Sequence, residues 1–160
     1  MRKAPAPYRP RVLTPIARVP GLDYGVLDEL LGYSLRRAQV AMFAAFHEAT
    51  RGVDITPPRF TALVVIGSNP GMSQSALGNV LGIARSGAML LTDWFEAQGL
   101  VERRRRPNDG RAWGLHLTPK GERLAAQLRK RVLRLDLERT RALTAAERRE
   151  LLRLLEKLAA

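Results

Sequence analysis

The sequence predicts a mainly α-helical protein with one small β-hairpin, and three observations carry that prediction. Long segments in both halves of the chain repeat apolar residues every three or four positions, as amphipathic helices do. Two short helical patterns near the centre are separated only by Gly82-Ile83, the spacing of a helix-turn-helix. Residues 100–117 then alternate apolar and polar side chains around Pro107-Asn108-Asp109-Gly110, a strong turn signal. Helix, turn, helix and hairpin together predict a winged helix-turn-helix, with the hairpin as its wing.

The composition favours a polyanionic partner. The chain has 160 residues, a formal net charge of +12 and 46% apolar residues, so it can form a core and still carry a cationic surplus. Such a surplus implies nucleic acid first and an anionic membrane surface second. The sequence has no apolar run near the roughly 20 residues that span a bilayer, and its start does not resemble a secretory signal. We therefore expect a cytoplasmic protein that does not bind membranes.

Residue types that carry catalysis are sparse. The sequence has no cysteine, and His47 and His116 are its only histidines, so zinc sites and disulfides are not expected. Neither a Ser/His/Asp arrangement at recognisable spacing nor a glycine-rich phosphate cradle after a strand is present. We expect no enzymatic activity, no metal and no other cofactor.

The N-terminal part predicts an arm and then a long helix. Residues 1–20 hold five prolines and five basic residues without an acid, and form either a solvated arm or one that contacts DNA or a partner subunit. A helix is expected over residues 22–50, ended by Arg51-Gly52. Its apolar surface is wider than one stripe, so we interpret residues 22–51 as a dimerisation helix covered partly by a second subunit.

The central helices have clear start signals. Thr56 is expected to cap a second helix over residues 56–67, with Pro57 at its first position. Ser73 is expected to cap a short third helix that ends at Gly82. The fourth helix is expected over residues 85–98. Its buried face is predicted to contain Ala84, Ala88, Leu91 and Phe95.

The opposite face of the fourth helix is predicted to lie in the major groove of DNA, as in other helix-turn-helix proteins. It carries Arg85, Ser86, Met89 and Asp93. Arg85 is a candidate for a guanine edge or a phosphate, Ser86 for a phosphate, and Met89 for a thymine methyl or for ordinary gap filling. Leu90 and Trp94 are expected off both faces, with Trp94 beside a cavity.

The hairpin is strongly cationic, because its near strand and tip carry five arginines. Such charges favour phosphates, and we select Arg103, Arg105 and Arg106 as DNA-binding candidates. The wing closes a DNA-binding domain expected over residues 52–117.

Residues 118–160 predict two further helices. The first opens at Thr118-Pro119, and its arginines form either a solvated face or a second DNA site. The second is expected over residues 144–158, behind a capping box formed by Thr144 and Glu147. Its leucines are too numerous to leave in water, so both helices are interpreted as dimerisation helices that pack on another copy.

These residues resemble the MarR family of winged-helix transcriptional regulators. The matching segments are Ser73-Gln74-Ser75-Ala76-Leu77, Leu81-Gly82-Ile83, Arg85-Ser86, residues 91–101, Arg103, Asp109-Gly110-Arg111 and Leu115-His116-Leu117-Thr118-Pro119-Lys120-Gly121. The resemblance implies a homodimer that binds a pseudo-palindromic operator on double-stranded DNA, usually as a repressor released by a small ligand. It adds Ser73, Gln74 and Ser75 to the DNA-binding candidates, with Arg111 in the minor groove and Asp109 holding it.

The fourth helix departs from the family pattern at two positions. Gly87 stands where the family usually has Thr or Ser, and Leu90 where it often has Arg. These changes remove a hydroxyl and a guanidinium, so base recognition is expected to shift toward the wing.

The segment from Leu31 to Gln39 is similar to family members that sense aromatic acids or their coenzyme A thioesters. In that subgroup the first helix borders the ligand pocket, so its arginines are candidates for a carboxylate or phosphate and the aromatic residues for a ring. An ordinary core role for the aromatic residues is the alternative. The candidate ligand-binding residues are Tyr33, Arg36, Arg37, Phe43, Phe46, His47, Phe60 and Trp94.

The leading hypothesis is a dimeric repressor released by an aromatic acid or its coenzyme A thioester. The alternatives are an architectural DNA-binding protein without an effector and an interaction module that does not contact DNA.

Overall fold

The structure is a computed structural model that describes residues 14–106 and 109–159, without the side chains of Arg106 and of residues 109–112. Its elements are a 3-10 helix Gly25–Asp28, helices α1 Leu31–Ala49, α2 Pro57–Ser68, α3 Gln74–Leu81 and α4 Arg85–Ala97, strands β1 Val101–Arg106 and β2 Asp109–Leu117, and helices α5 Pro119–Arg139 and α6 Ala145–Ala159. The fold is mainly α with one antiparallel hairpin, as predicted. The first 13 residues of the predicted arm and the Pro107-Asn108 turn lie outside the described residues.

The chain divides into two compact units. One contains Thr50–Lys130, which includes the helix-turn-helix, the wing and the start of α5. The other combines the described parts of Arg11–Ala49 and Arg131–Ala160, which include α1, the end of α5 and α6.

The core of the Thr50–Lys130 unit receives side chains from all of its helices and from the wing. Its largest fully buried apolar side chains are Leu63, Ile66, Leu77, Phe95, Leu115 and Leu128. Each such side chain stabilises the fold by about 1.5–3 kcal/mol relative to exposure. On α4 the predicted buried face is confirmed at Ala88 and Phe95, whereas Ala84 is exposed because it is the N-cap residue before the helix.

Helix α2 begins where the sequence predicts, but the expected cap of Thr56 is wrong. Thr56 has the extended backbone of an N-cap residue and makes no side-chain capping hydrogen bond. A capping oxygen accepts from the N–H of the second or third helical residue. Because α2 begins with two prolines, Pro57 and Pro58, the second helical residue has no N–H to donate.

The wing is fixed to the helices by a close backbone approach. Strand β1 pairs antiparallel with β2, with Val101 opposite Leu117 and Arg105 opposite Trp113. The N–H of Gly71 donates to the Leu115 carbonyl at 2.8 Å, and the Leu115 N–H donates to the Met72 carbonyl at 2.9 Å. A side chain at position 114 would place its Cβ 2.7 Å from the Gly71 oxygen, so this approach requires Gly114.

The base of the wing, where β2 leads into α5, is anchored by the first residues of that helix. The Thr118 hydroxyl donates to the Gly99 carbonyl at 2.7 Å and accepts from the Gly121 N–H at 3.1 Å. A Cβ on Gly121 would lie 2.0 Å from the Leu100 oxygen. The Thr118-Pro119-Lys120-Gly121 motif therefore caps α5 and lets it pack directly against the chain that enters the wing.

The first helix begins later than predicted. Instead of a continuous helix from residue 22, the chain forms the short 3-10 helix and starts α1 at Leu31. Gly21 and Gly25 have φ values of +80° and +52°, and the Asp23 carboxylate accepts from the Gly25 N–H at 2.8 Å. These left-handed residues and the local side-chain bond end any regular helix there.

Helix α6 has the capping box that the sequence predicts. The Glu147 carboxylate accepts from the Thr144 N–H at 2.7 Å, and the Thr144 hydroxyl accepts from the Glu147 N–H at 3.2 Å. The helix leaves a row of leucines exposed in the single chain. They are Leu151, Leu152, Leu154, Leu155 and Leu158.

Candidate nucleic-acid interface and effector residues

An open groove of about 370 Å³ lies between α3 and α4. It is lined by Gln74, Ser75, Arg85, Ser86 and Met89, which are five of the residues predicted to bind DNA. All except the partly buried Gln74 are exposed. The groove therefore presents a guanidinium, hydroxyls and an amide on one accessible surface.

The turn between α3 and α4 explains how these side chains share a groove. Gly82 adopts φ +62°, which ends α3, and the Ile83 N–H donates to the Gly78 carbonyl at 3.0 Å. A Cβ on Gly78 would come within 3.3 Å of Ala88, so a small residue is needed where the helices cross. The Ser73 hydroxyl accepts from the Ala76 N–H at 3.1 Å, which gives this predicted DNA-binding residue a structural role as the cap of α3.

Arg103 joins the wing to α4. Its guanidinium forms ion pairs with Asp93, at 2.7 Å, and with Glu96, and it lies 3.4 Å from the Gln74 amide oxygen. Its side chain is 26% exposed. The prediction that Arg103 binds DNA stays a prediction, but two carboxylates already neutralise this charge and a phosphate would compete with them.

The outer part of the wing carries an aromatic residue that was not among the predicted DNA-binding residues. Trp113 is 49% exposed, and the Arg105 guanidinium carbon lies 5.1 Å from its ring centre. Strand alternation places both residues on the face that holds Arg103, farther from the core. That alternation is visible in the sequence and would have identified Trp113. Arg104 lies on the opposite face and pairs with Glu102.

The remaining candidates of the wing are outside the described side chains. Arg106 ends β1, and Asp109 and Arg111 belong to β2, but only their backbone is described. Their contacts with DNA stay predictions.

At the start of α1, aromatic and cationic candidates lie close together. The Arg37 guanidinium carbon is 5.9 Å from the Tyr33 ring centre, and its Nε donates to the Ile16 carbonyl at 3.3 Å. Tyr33 also lies 6.2 Å from Tyr24. Arg36, the neighbouring candidate, is exposed.

The other candidates on α1 lie two to four turns farther along the helix. Phe46 is buried and meets His47 edge-on at a ring distance of 6.2 Å. Phe43 and His47 are half-buried. The α1 candidates therefore extend along the helix from its exposed start to its buried end.

Phe60 and Trp94 belong to the Thr50–Lys130 unit, in which Phe60 is half-buried. Trp94 borders a cleft of about 430 Å³, as its position predicted, with Lys120 and Arg123 also on the lining. The Arg59 guanidinium stacks 3.6 Å from the Trp94 ring centre and pairs with Asp54 at 2.8 Å. This stack covers part of the indole, and a role in ligand binding stays a prediction.

Within residues 14–106 and 109–159, histidine and acidic side chains form no cluster of three that could hold a metal ion. None of the helices in this part of the chain combines the length and the apolar character needed to cross a bilayer.

Comparison with known proteins agrees with this geometry. A family model described as the MarR family matches residues 53–112. A putative transcriptional regulatory protein for the hcr operon of Thauera aromatica is 37% identical over 138 residues, or 86% of this chain and 83% of that protein. The chain belongs to the MarR family. It is therefore a DNA-binding transcriptional regulator and not an enzyme.

Two solved structures of the MarR-type repressor CouR show the same fold. CouR bound to a 23-mer DNA duplex is 37% identical, with a TM-score of 0.81, over 87% of this chain and 99% of that one. CouR bound to p-coumaroyl-CoA is 36% identical, with a TM-score of 0.76, over 86% of this chain and 97% of that one. In MarR terms, α3 and α4 are the helix-turn-helix, and β1 and β2 are the wing.

Proposed function

We propose that this MarR-family protein is a homodimeric, sequence-specific repressor that an aromatic acid or its coenzyme A thioester releases from DNA. The observation that carries the proposal is the α3–α4 groove, whose polar side chains, apart from the partly buried Gln74, are exposed beside a cationic wing. Arg103 holds wing and helix in one arrangement, so both can contact the same duplex.

The charge distribution supports DNA as the ligand of this surface. Arg85 lies at the start of α4, where side chains reach base edges in helix-turn-helix complexes. Arg105 lies on the exposed part of the wing, where it suits the phosphate backbone. The groove and the wing tip would thus contact bases, while Arg105 contributes affinity.

The exposed leucines of α6 support a second copy as the partner. Leu151, Leu154, Leu155 and Leu158 follow the three- and four-residue spacing of a helical stripe. Between 36% and 54% of each side chain is exposed in the single chain. A twofold dimer would cover this stripe and place two recognition helices on the half-sites of a pseudo-palindrome.

The start of α1 supports an acidic aromatic effector. Tyr33 provides a ring surface, Arg37 provides a cation beside it, and Arg36 provides an exposed cation on the same helix. Guanidinium groups bind carboxylates and phosphates through paired hydrogen bonds. A coenzyme A thioester of an aromatic acid combines a ring with phosphates, and CouR, which is similar to this chain, has been solved with p-coumaroyl-CoA.

The test begins with selection of bound duplexes from a random pool. Fluorescence anisotropy then measures operator affinity with and without p-coumaroyl-CoA, with p-coumarate and coenzyme A as separate controls. We expect a pseudo-palindromic operator and weaker binding with the thioester or the free acid, but not with coenzyme A alone. Affinity that neither aromatic compound changes would remove the proposed effector class.

The net charge of +12 favours an architectural DNA-binding protein as the second candidate. The two functions differ in sequence dependence. Each mismatched base pair should cost about 1–3 kcal/mol in a specific repressor and much less in an architectural protein. A selection that returns no consensus would favour the architectural function.

A further inference from the structure

The outer face of α4 carries a large exposed apolar side chain, although recognition helices commonly present polar side chains there. Ala88, Thr92 and Phe95 are fully buried on the inner face. Leu90 projects to the other side and is 67% exposed. Among the described residues, no large apolar side chain is more exposed. Leu90 therefore points away from the core, and it lies four residues after Ser86 on the same side of the helix.

The rest of α4 offers few groups for hydrogen bonding to bases. Arg85 is the only cation in the helix. The Asp93 carboxylate pairs with Arg103 of the wing, and the Thr92 hydroxyl is buried and donates to the Ala88 carbonyl. On α4, the donors and acceptors available for base recognition are thus those of Arg85 and Ser86 at the first turn. Leu90, one turn later, cannot hydrogen-bond to a base.

The major groove presents one apolar group to such a side chain, the C5-methyl group of thymine. We propose that Leu90 recognises thymine methyl groups, so each operator half-site carries a thymine at a fixed position that contacts this side chain. The proposal rests on the proposed DNA-binding function and specifies how α4 selects sequence. Met89, which is 48% exposed one position earlier, borders the α3–α4 groove and is the neighbouring apolar contact.

Deoxyuridine provides the test because it pairs like thymine and lacks only the methyl group. Starting from the selected operator, each thymine is replaced in turn and the affinity is measured by anisotropy. We expect one position in each half-site to lose about fourfold in affinity, which corresponds to the roughly 0.8 kcal/mol gained by burying one methyl group.

Variants then assign the methyl contact to a side chain. Leu90→Ala should bind the thymine and deoxyuridine operators with the same affinity. Val80→Ala is the matched control, since Val80 is 54% exposed on α3, and it should keep the wild-type difference. Leu90 is exposed, so its replacement should leave the circular dichroism spectrum and the melting temperature unchanged.

The outcomes separate this proposal from the proposed function. A clear operator without any deoxyuridine effect would overturn the methyl contact and leave the sequence-specific regulator intact. A deoxyuridine effect that persists in Leu90→Ala and disappears in Met89→Ala would also overturn it, by assigning the contact to Met89. A selection without any consensus would instead contradict the sequence-specific function itself.

Discussion

We expect Arg103 to influence DNA binding through its ion pairs with α4 rather than through a contact with DNA. It lies on the face of β1 that points toward α4, where it pairs with Asp93 and Glu96. Without Arg103, the carboxylates of Asp93 and Glu96 would remain unneutralised on the recognition helix itself. We therefore expect Arg103 to position the wing and to reduce repulsion between α4 and phosphates.

The salt dependence of binding distinguishes this role from a phosphate contact. Arg103→Ala should weaken operator binding by about 1–3 kcal/mol without lowering the slope of log K against log salt. Arg105→Ala is the matched change two residues farther along the strand and should lower the magnitude of that slope by about 1. Anisotropy titrations at several salt concentrations measure both quantities. A slope reduction for Arg103→Ala equal to that for Arg105→Ala would identify Arg103 as a phosphate ligand.

Residue types of the interface were predictable, but their pairing was not. The basic run in residues 103–106 marks the wing as cationic because charge is a property of sequence. Which guanidinium is neutralised depends on α4, whose Asp93 and Glu96 approach only when the chain folds. The exposure of Leu90 was not predicted for a related reason. The orientation of α4 around the core decides which of its side chains face outward.

At the scale of elements, local signals predicted most boundaries. Ser73, Gly82 and the Thr144–Glu147 capping box act through neighbours within four residues, and each forms the contact expected of it. The predicted start of α1 at residue 22 was wrong, because Gly21 and Gly25 adopt left-handed conformations that an apolar periodicity does not reveal.

The junction between the wing and α5 depends on the absence of a side chain at position 121. Gly121→Ala would place a Cβ 2.0 Å from the Leu100 carbonyl oxygen, so the helix would have to shift. We expect a loss of about 1–3 kcal/mol or more in the free energy of unfolding. Gly87→Ala is the control, because its Cβ meets Ile83 at 3.6 Å, an ordinary contact. It should stabilise α4 by up to about 1 kcal/mol. Chemical denaturation compares the variants, and equal stability of Gly121→Ala and wild type would contradict the packing.

The capping box makes the stability of α6 depend on pH. The Thr144 N–H and then its hydroxyl hold the pKa of Glu147 below its ordinary value of 4.5. A lowered folded pKa means that the ionised carboxylate stabilises the helix fully above the unfolded pKa. This contribution is lost as the pH falls through the folded pKa.

Glu147→Gln should therefore have a smaller loss of helicity than wild type between about pH 6 and pH 3. Thr144→Ala should reduce the pH dependence similarly, and the double variant should add little because both changes remove the same bonds. Circular dichroism at 222 nm, a standard helix signal, measures the change. Undiminished pH dependence in Glu147→Gln would assign it to other groups.

At the scale of the molecule, the two units contain different candidate functional surfaces. The Thr50–Lys130 unit contains the α3–α4 groove and the wing, while the other unit contains the exposed leucines and the cationic start of α1. A regulator that binds a pseudo-palindrome needs both DNA contact and dimerisation, because a single recognition helix and wing contact only one half-site. Dimerisation through α6 is thus expected to be a condition for tight operator binding.

Leu155→Asp tests that condition, since it places a carboxylate within the leucine stripe of α6. An unpaired charge buried in an interface is strongly destabilising, typically by about 3–5 kcal/mol, so the dimer should dissociate or unfold. Leu155→Met keeps the volume and apolar character and should remain dimeric. Sedimentation velocity gives the oligomeric state, and anisotropy should show that only the Asp variant loses most of its operator affinity. A stable Leu155→Asp dimer would locate the interface on another surface, and the two recognition helices would then need a different means of reaching adjacent half-sites.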